Sequence, residues 1–258
     1  MRYLLFVLFF HFSSPTAQEL RIYAVDEPPA AYINQYEQQD GYVLAIVKAM
    51  QKELSNNTPI LFIPEGRALT IMAREPNVIL IGISRTPSRE HHYFWLAQVM
   101  VKKWQVYALS GVAMNIDTLD DLKVLANIGV VRGDVREEWL INRHFKNLNS
   151  VTLHKQNIQM LKLGRVNAIV YDEQGLRFHA NTLGFRLGDF TPVYTVNMAP
   201  VYIVMSKYSN PTLVKNWQQA FKTISKNGEL QNISEQWQTK LAQKYNMTSE
   251  IRNNILVF

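Results

Sequence analysis

The sequence predicts an α/β fold on three observations. Short apolar runs alternate with stretches whose apolar residues recur at helical spacing, the pattern of parallel strands connected by helices. The alternation occurs in two successive regions, and in each the strands run out into charged or hydroxyl residues. Two extended stretches, near 106–112 and 193–205, stand where the chain would pass from the first region to the second and back.

In the first region, residues 20–25 (LRIYAV) read as a strand that Asp26, Glu27, Pro28 and Pro29 break. Tyr32 and Tyr36 follow in a polar loop. Gly41 opens a helix to about Leu54, with Val43, Leu44, Val47, Met50 and Leu54 on one face. Residues 60–63 form a short strand, and a helix begins after Pro64 near Gly66 and Arg67, with Leu69, Ile71 and Met72 inward. The apolar run 78–81 is the third strand. It stops at Gly82 and releases Ser84, Arg85, Thr86, Pro87 and Arg89 into a loop. A buried strand presenting hydroxyls and a guanidinium at its exit is how open α/β sheets build ligand sites. Arg89 can grip a carboxylate with two parallel hydrogen bonds, with Ser84 and Thr86 as further donors.

In the second region, Asp117 caps a helix start at 117–122, and residues 126–131 form a strand that exits at Arg132, Gly133 and Asp134. A helix follows over about 135–145, then a strand at 151–153. The helix 158–163 is ended by Gly164 in a left-handed cap, and the strand 168–171 runs into Asp172 and Glu173. After the return crossing come two helices, 211–226 and 230–245, separated at Gly228.

Composition sets limits. The chain has 258 residues, 47% of them hydrophobic and 19% charged, which suits folded α/β domains and excludes disorder. The net charge of +6 is spread without a basic cluster, so nucleic acid is not an expected partner. Arg2, a largely apolar block at 3–12 and small polar residues at 13–17 read as a secretory signal peptide, too short to span a membrane. There is no cysteine, hence no lipid-attachment box and no disulfide, which fits soluble export to a bacterial periplasm.

Six stretches together resemble one family: PPAAY at 28–32, G-Y-x-x-x-I from Gly41, S-R-T-P-S-R at 84–89, G-V-V-R-G-D from Gly129, G-R-V-N-A-I-V-Y-D-E at 164–173 and N-G-E-L from Asn227. In this order they resemble the bacterial extracellular solute-binding proteins of family 3, which serve polar amino acid uptake, over about residues 20–237. The resemblance implies a two-lobe periplasmic binding protein fold (type II) with two crossover hinge strands. Lobe 1 would comprise 18–109 and 196–258, and lobe 2 would be 110–195, inserted between them. It also implies that Arg89 clamps the α-carboxylate of an amino acid beside Ser84 and Thr86, and that Asp172 takes the amino group from the other lobe. The alternative reading of Asp172 is a helix N-cap.

The chain departs from the family pattern where the side-chain pocket would lie. Glu27 stands where an aromatic residue usually stacks on the ligand, with Tyr32 nearby but offset, and Ala45 replaces an acidic residue. Asp134 and Val135 replace hydroxyls, flanked by Arg132 and Arg136. Glu27, Tyr32, Arg132 and Asp134 are therefore candidate pocket residues, as is Arg67, which reads equally as a solvated surface arginine. His91 and His92 are adjacent, point opposite ways in an extended segment and make no metal site. Trp95 and Trp104 suit a core as well as a ligand stack. No catalytic residue, cofactor or metal is assigned.

The function expected is capture of a small polar ligand, an amino acid or related carboxylate, by a monomer that delivers it to an inner-membrane ABC permease. The alternatives are a periplasmic enzyme of dehydratase or lyase type, or a ligand sensor on the same scaffold.

Overall fold

A computed structural model of the chain describes residues 19–258. The signal peptide expected at 1–17 lies outside the described residues. Among those residues, no helix is long and apolar enough to cross a membrane.

The first region contains β1 (Arg21–Ala24), the short β2 (Tyr32–Ile33) and β3 (Gln39–Asp40), α1 (Tyr42–Glu53), β4 (Ile60–Phe62), α2 (Glu65–Met72) and β5 (Val78–Ser84). Then β6 (Tyr93–Leu109) runs into the second region: β7 (Ile128–Val131), α3 (Val135–Ile141), β8 (Leu148–Val151), α4 (His154–Lys162), β9 (Ala168–Asp172) and α5 (Glu173–Thr182). The return strand β10 (Phe190–Ser206) leads to α6 (Pro211–Lys226), α7 (Glu229–Tyr245) and a closing hairpin, β11 (Glu250–Arg252) with β12 (Ile255–Val257).

One continuous sheet carries both regions, in the order β4-β1-β5-β10-β6-β9-β7-β8. Its spine is the antiparallel pair β6 and β10, each 17 residues long. Residues 201–205 of β10 pair with β5 on one side, while residues 104–108 of β6 pair with β9 on the other. Each long strand therefore belongs to both halves of the molecule. Polar Gln98, Lys102, Lys103 and Gln105 interrupt the apolar pattern of β6, so the sequence shows only part of it as a strand; the ladder to β10 supplies the rest.

In each half the strands bury both faces, as parallel sheets covered by helices must. In the first half, Ile22, Ala24, Ile79 and Ile81 face α1, α6 and α7, whereas Tyr23, Val78, Leu80 and Ile83 face α2. In the second, Val106, Ile128, Val130 and Val170 pack with Leu140 of α3 on one side, and Tyr107, Ile169 and Tyr171 pack with α4 and α5 on the other.

Local corrections follow from capping. The 117–122 segment is a short 3-10 helix, Leu119–Val124, capped by Thr118 instead of Asp117. The Asp121 carboxylate accepts from both the Asp117 and Thr118 amides, which closes the cap from inside the turn. The helix α4 starts at His154, four residues before the expected Ile158, and this places His154 at the mouth of the interlobe cleft.

Candidate functional site

The cleft between the halves is lined by strand exits and helix starts. From the first half come the turn after β1, with Glu27, the start of α2, with Glu65, and the end of β5, with Ser84. From the second come the start of α3, with Asp134 and Arg136, and the start of α4, with His154. Lys102, in the middle of β6, rises from the floor.

These groups form a buried ionic centre. The Lys102 ammonium donates to Glu27 Oε1 and Asp172 Oδ2, both at 3.1 Å. The Arg136 guanidinium donates from Nη1 to Asp172 Oδ2 at 3.2 Å, from Nη2 to Glu27 Oε1 at 3.1 Å and from Nε to Asp134 Oδ1 at 2.7 Å. Asp172 is wholly buried, and its other oxygen accepts the Gly175 amide at 2.9 Å, so it is both the N-cap of α5 and a member of the centre. His154 Nε2 lies 2.7 Å from Glu27 Oε2. Burial pushes the Glu27 carboxyl up, but the Arg136, Lys102 and His154 charges outweigh it and hold Glu27 well below the usual range. For Asp134, burial is likewise outweighed, chiefly by Arg136. At Glu65 the balance goes the other way: burial, with the neighbouring Asp134 charge, outweighs the Arg89 charge and holds its carboxyl well above the usual range.

A second ionic group bridges the lobes beside the first. Arg89 is 2% exposed; its Nε donates to Glu138 Oε2 of α3 at 2.8 Å and its Nη2 to the Gly133 carbonyl at 3.1 Å. The remaining nitrogen, Nη1, is buried without a hydrogen-bond partner, 3.9 Å from Glu65. The lobes touch closely here. A Cβ on Gly133, whose φ is +79°, would meet Gly66 Cα at 3.0 Å.

Ser84, Glu27, Asp134 and Asp172 thus converge on one centre, and Arg89 lies in the adjoining group. Arg89 and Asp172 share no protein partner: Arg89 binds Glu138 and the Gly133 carbonyl, whereas Asp172 binds Lys102, Arg136 and the Gly175 amide. Thr86 is half-buried and bonded to Ser88. Three candidates are not brought to the cleft. Tyr32 is buried in the core of the first half, its hydroxyl donating to Asp40 and paired with Tyr245, its ring against Phe178. Arg67 and Arg132 are exposed at the rim. Trp104 is core-packed and edges the cleft, while Trp95 packs against Tyr93 and Tyr202.

Sequence reasoning missed Lys102, Glu65, Glu138 and His154, and treated Arg136 only as a flank. The one available signal is Lys102 standing between apolar Val101 and Trp104 in a strand, because a lysine is buried there only when paired. Glu27, Asp134 and His154 offer ligand atoms within 4.8 Å of one another, yet Lys102 and Arg136 already neutralise these carboxylates. A metal ion there would sit against two buried cations.

Two α/β halves hinged on paired long strands, with charged groups converging between them, define the two-lobe fold of the type II periplasmic binding proteins. The chain belongs to the bacterial extracellular solute-binding proteins, family 3, whose pattern matches residues 20–240. Among solved structures it is similar to a histidine kinase sensor domain with similarity to periplasmic binding proteins (TM-score 0.74, 16% identity, 86% of this chain and 96% of that one). It is also similar to an ancestral arginine-binding protein bound to arginine (0.72, 19%, 84% and 97%). A third is a solute receptor for L-cysteine of Neisseria gonorrhoeae (0.72, 16%, 87% and 92%). At these identities the likeness shows the fold alone. No curated protein matches.

Proposed function

We propose that the chain is a periplasmic solute-binding protein, exported behind a cleaved signal peptide, that captures an amino acid or related carboxylate and delivers it to an inner-membrane ABC permease. In this reading it works as a monomer, closing lobe 1 (18–109 and 196–258) on lobe 2 (110–195). The observation that carries it is the Arg89 guanidinium. It is buried, oriented between the lobes by a carboxylate and a carbonyl, and its Nη1 has no hydrogen-bond partner, so it can donate to a ligand carboxylate. The ionic centre next to it sets charged groups of both signs, Glu27, Asp134 and Asp172 with Lys102 and Arg136, beside the same cleft, the polar surrounding that a zwitterion needs.

A thermal-shift screen of the mature protein against amino acids and small anions tests this. A ligand that binds only the folded state at a hundredfold excess over Kd stabilises it by about 2.7 kcal/mol. No shift with any carboxylate would reject the proposal. One observation favours a second, enzymatic reading: burial and the Asp134 charge raise the Glu65 carboxyl at the cleft well above its ordinary value, as the general acid of a dehydratase would require. Turnover of arogenate or prephenate would establish it.

A further inference from the structure

Beside the ionic centre, and sharing Val25 and Glu65 with it, lies a second interlobe cavity of ≈ 230 Å³, against ≈ 20 Å³ at the centre itself. The smaller space holds about one water. The larger one takes a side chain of several atoms and is below the size typical of drug-sized ligands.

The walls of the larger cavity are mostly apolar: Phe62, Ile63 and Pro64 from lobe 1, Val131 and Leu153 from lobe 2. Asp26 is matched by Lys155 at 3.5 Å, and burial with the Asp134 charge beside it raises the Glu65 carboxyl well above its ordinary value. Behind the cavity stand three nearly parallel rings. His154 stacks on Tyr171 at 4.5 Å and 14°, and His179 lies 6.2 Å from His154 and 6.3 Å from Tyr171.

His179, at 1% exposure, is the member of this stack that nothing in the protein explains. Neither of its ring nitrogens has a hydrogen-bond partner, and the Tyr171 hydroxyl is likewise buried and unpartnered. Burial, reinforced by the His154 charge, drives the imidazole down to about 3, so at neutral pH it is uncharged. A neutral imidazole offers one N–H donor and one lone-pair acceptor. A buried polar ring lining a cavity with both functions unused is built to meet a group that has both as well.

Resting on the amino acid reading above, we propose that this cavity is the side-chain subsite and that His179 is its specificity-determining residue, selecting ligands whose side chain ends in an uncharged donor–acceptor group such as a carboxamide or hydroxyl. A cationic side chain would meet Lys155 and no free carboxylate. An anionic one would meet Asp26, which already holds Lys155, and otherwise mostly apolar walls.

The test is calorimetry on the mature protein with six probes: L-glutamine and L-tyrosine, their near-isosteres L-methionine and L-phenylalanine, and the charged L-arginine and L-glutamate. Wild type is expected to favour at least one polar-tipped probe over its isostere by about thirty-fold, the worth of satisfying a buried polar group. His179→Phe keeps a neutral ring in the stack and should bring that ratio close to one. His179→Asn, which restores a donor and an acceptor, should recover part of it. Preference of the wild type for arginine or glutamate, or an unchanged ratio in His179→Phe, overturns the inference while leaving amino acid binding intact. If none of the six binds wild type, the amino acid reading falls and the inference with it.

Discussion

Arg136 of α3 reaches across the cleft to Glu27, with Nη2 3.1 Å from Oε1, in a contact between residues 109 apart in the chain. The same guanidinium covers the Tyr171 ring at 4.7 Å and holds Asp134 and Asp172. One buried arginine therefore joins the lobes and neutralises carboxylates contributed by three separate elements.

Arg136→Met is expected to destabilise the protein by about 3–5 kcal/mol, because it leaves buried carboxylates with Lys102 as their principal counter-ion. Urea denaturation at pH 7 measures this. A loss below about 1 kcal/mol would mean that water enters the centre and screens it, as at an exposed ion pair.

Glu65→Gln should raise stability, and the gain should depend on pH. Burial and Asp134 hold the folded Glu65 carboxyl well above its ordinary 4.5. Between 4.5 and that raised value the unfolded chain has released a proton that the folded chain keeps, so stability falls as pH rises through the window. The slope is about 1.4 kcal/mol per pH unit at most. Glutamine cannot ionise and removes the loss. Thermal melts of the two proteins should therefore diverge from about pH 5 upward and converge in acid. Parallel curves would place Glu65 in the ionised state.

Arg89→Lys keeps the charge but removes the planar fork that binds Glu138 and Gly133 together, so ligand affinity should drop about thirty-fold or more. Asp172→Asn should match that loss for a zwitterion. For a ligand lacking an ammonium group it should be neutral. Calorimetry on both variants separates the two ligand types, and wild-type affinity in both removes these residues from the site.

Much of this architecture is legible in the sequence because it is local. The strand run 78–81 followed by S-R-T-P-S-R does end β5, with Ser84 lining the cleft and Arg89 in the buried contact with Glu138 beside it. Asp172 can be read as an N-cap or as a ligand group, and its two oxygens divide between the cap and the ionic centre. What sequence reasoning cannot see is pairing at a distance. Lys102 and Asp172 are 70 residues apart, and only the β6–β9 register brings them together. Tyr32 misleads for the same reason. Its neighbours in sequence suggest a cleft loop, whereas Tyr245, 213 residues on, claims its hydroxyl inside the core.

Gly175→Ala sets two effects against each other. Gly175 occupies the first turn of α5 with an ordinary helical backbone, so alanine there should gain about 1 kcal/mol from propensity. Its Cβ, however, would lie 2.6 Å from the Tyr171 ring tip. That ring is 2% exposed, stacked on His154 at 4.5 Å and covered by Arg136 at 4.7 Å, so it has nowhere to swing. Overpacking of this kind costs about 1–3 kcal/mol, and because the neighbours here are an ion-paired guanidinium and a stacked ring, the upper half of that range applies. Gly175→Ala should therefore be destabilising by about 1–2 kcal/mol net of the propensity gain, measured by urea denaturation. It should also shift the ring resonances of His154 and His179, since Tyr171 stacks with both. A more stable variant with unshifted histidine resonances would show that Tyr171 yields freely, and that the ring stack lining the second cavity is not rigid.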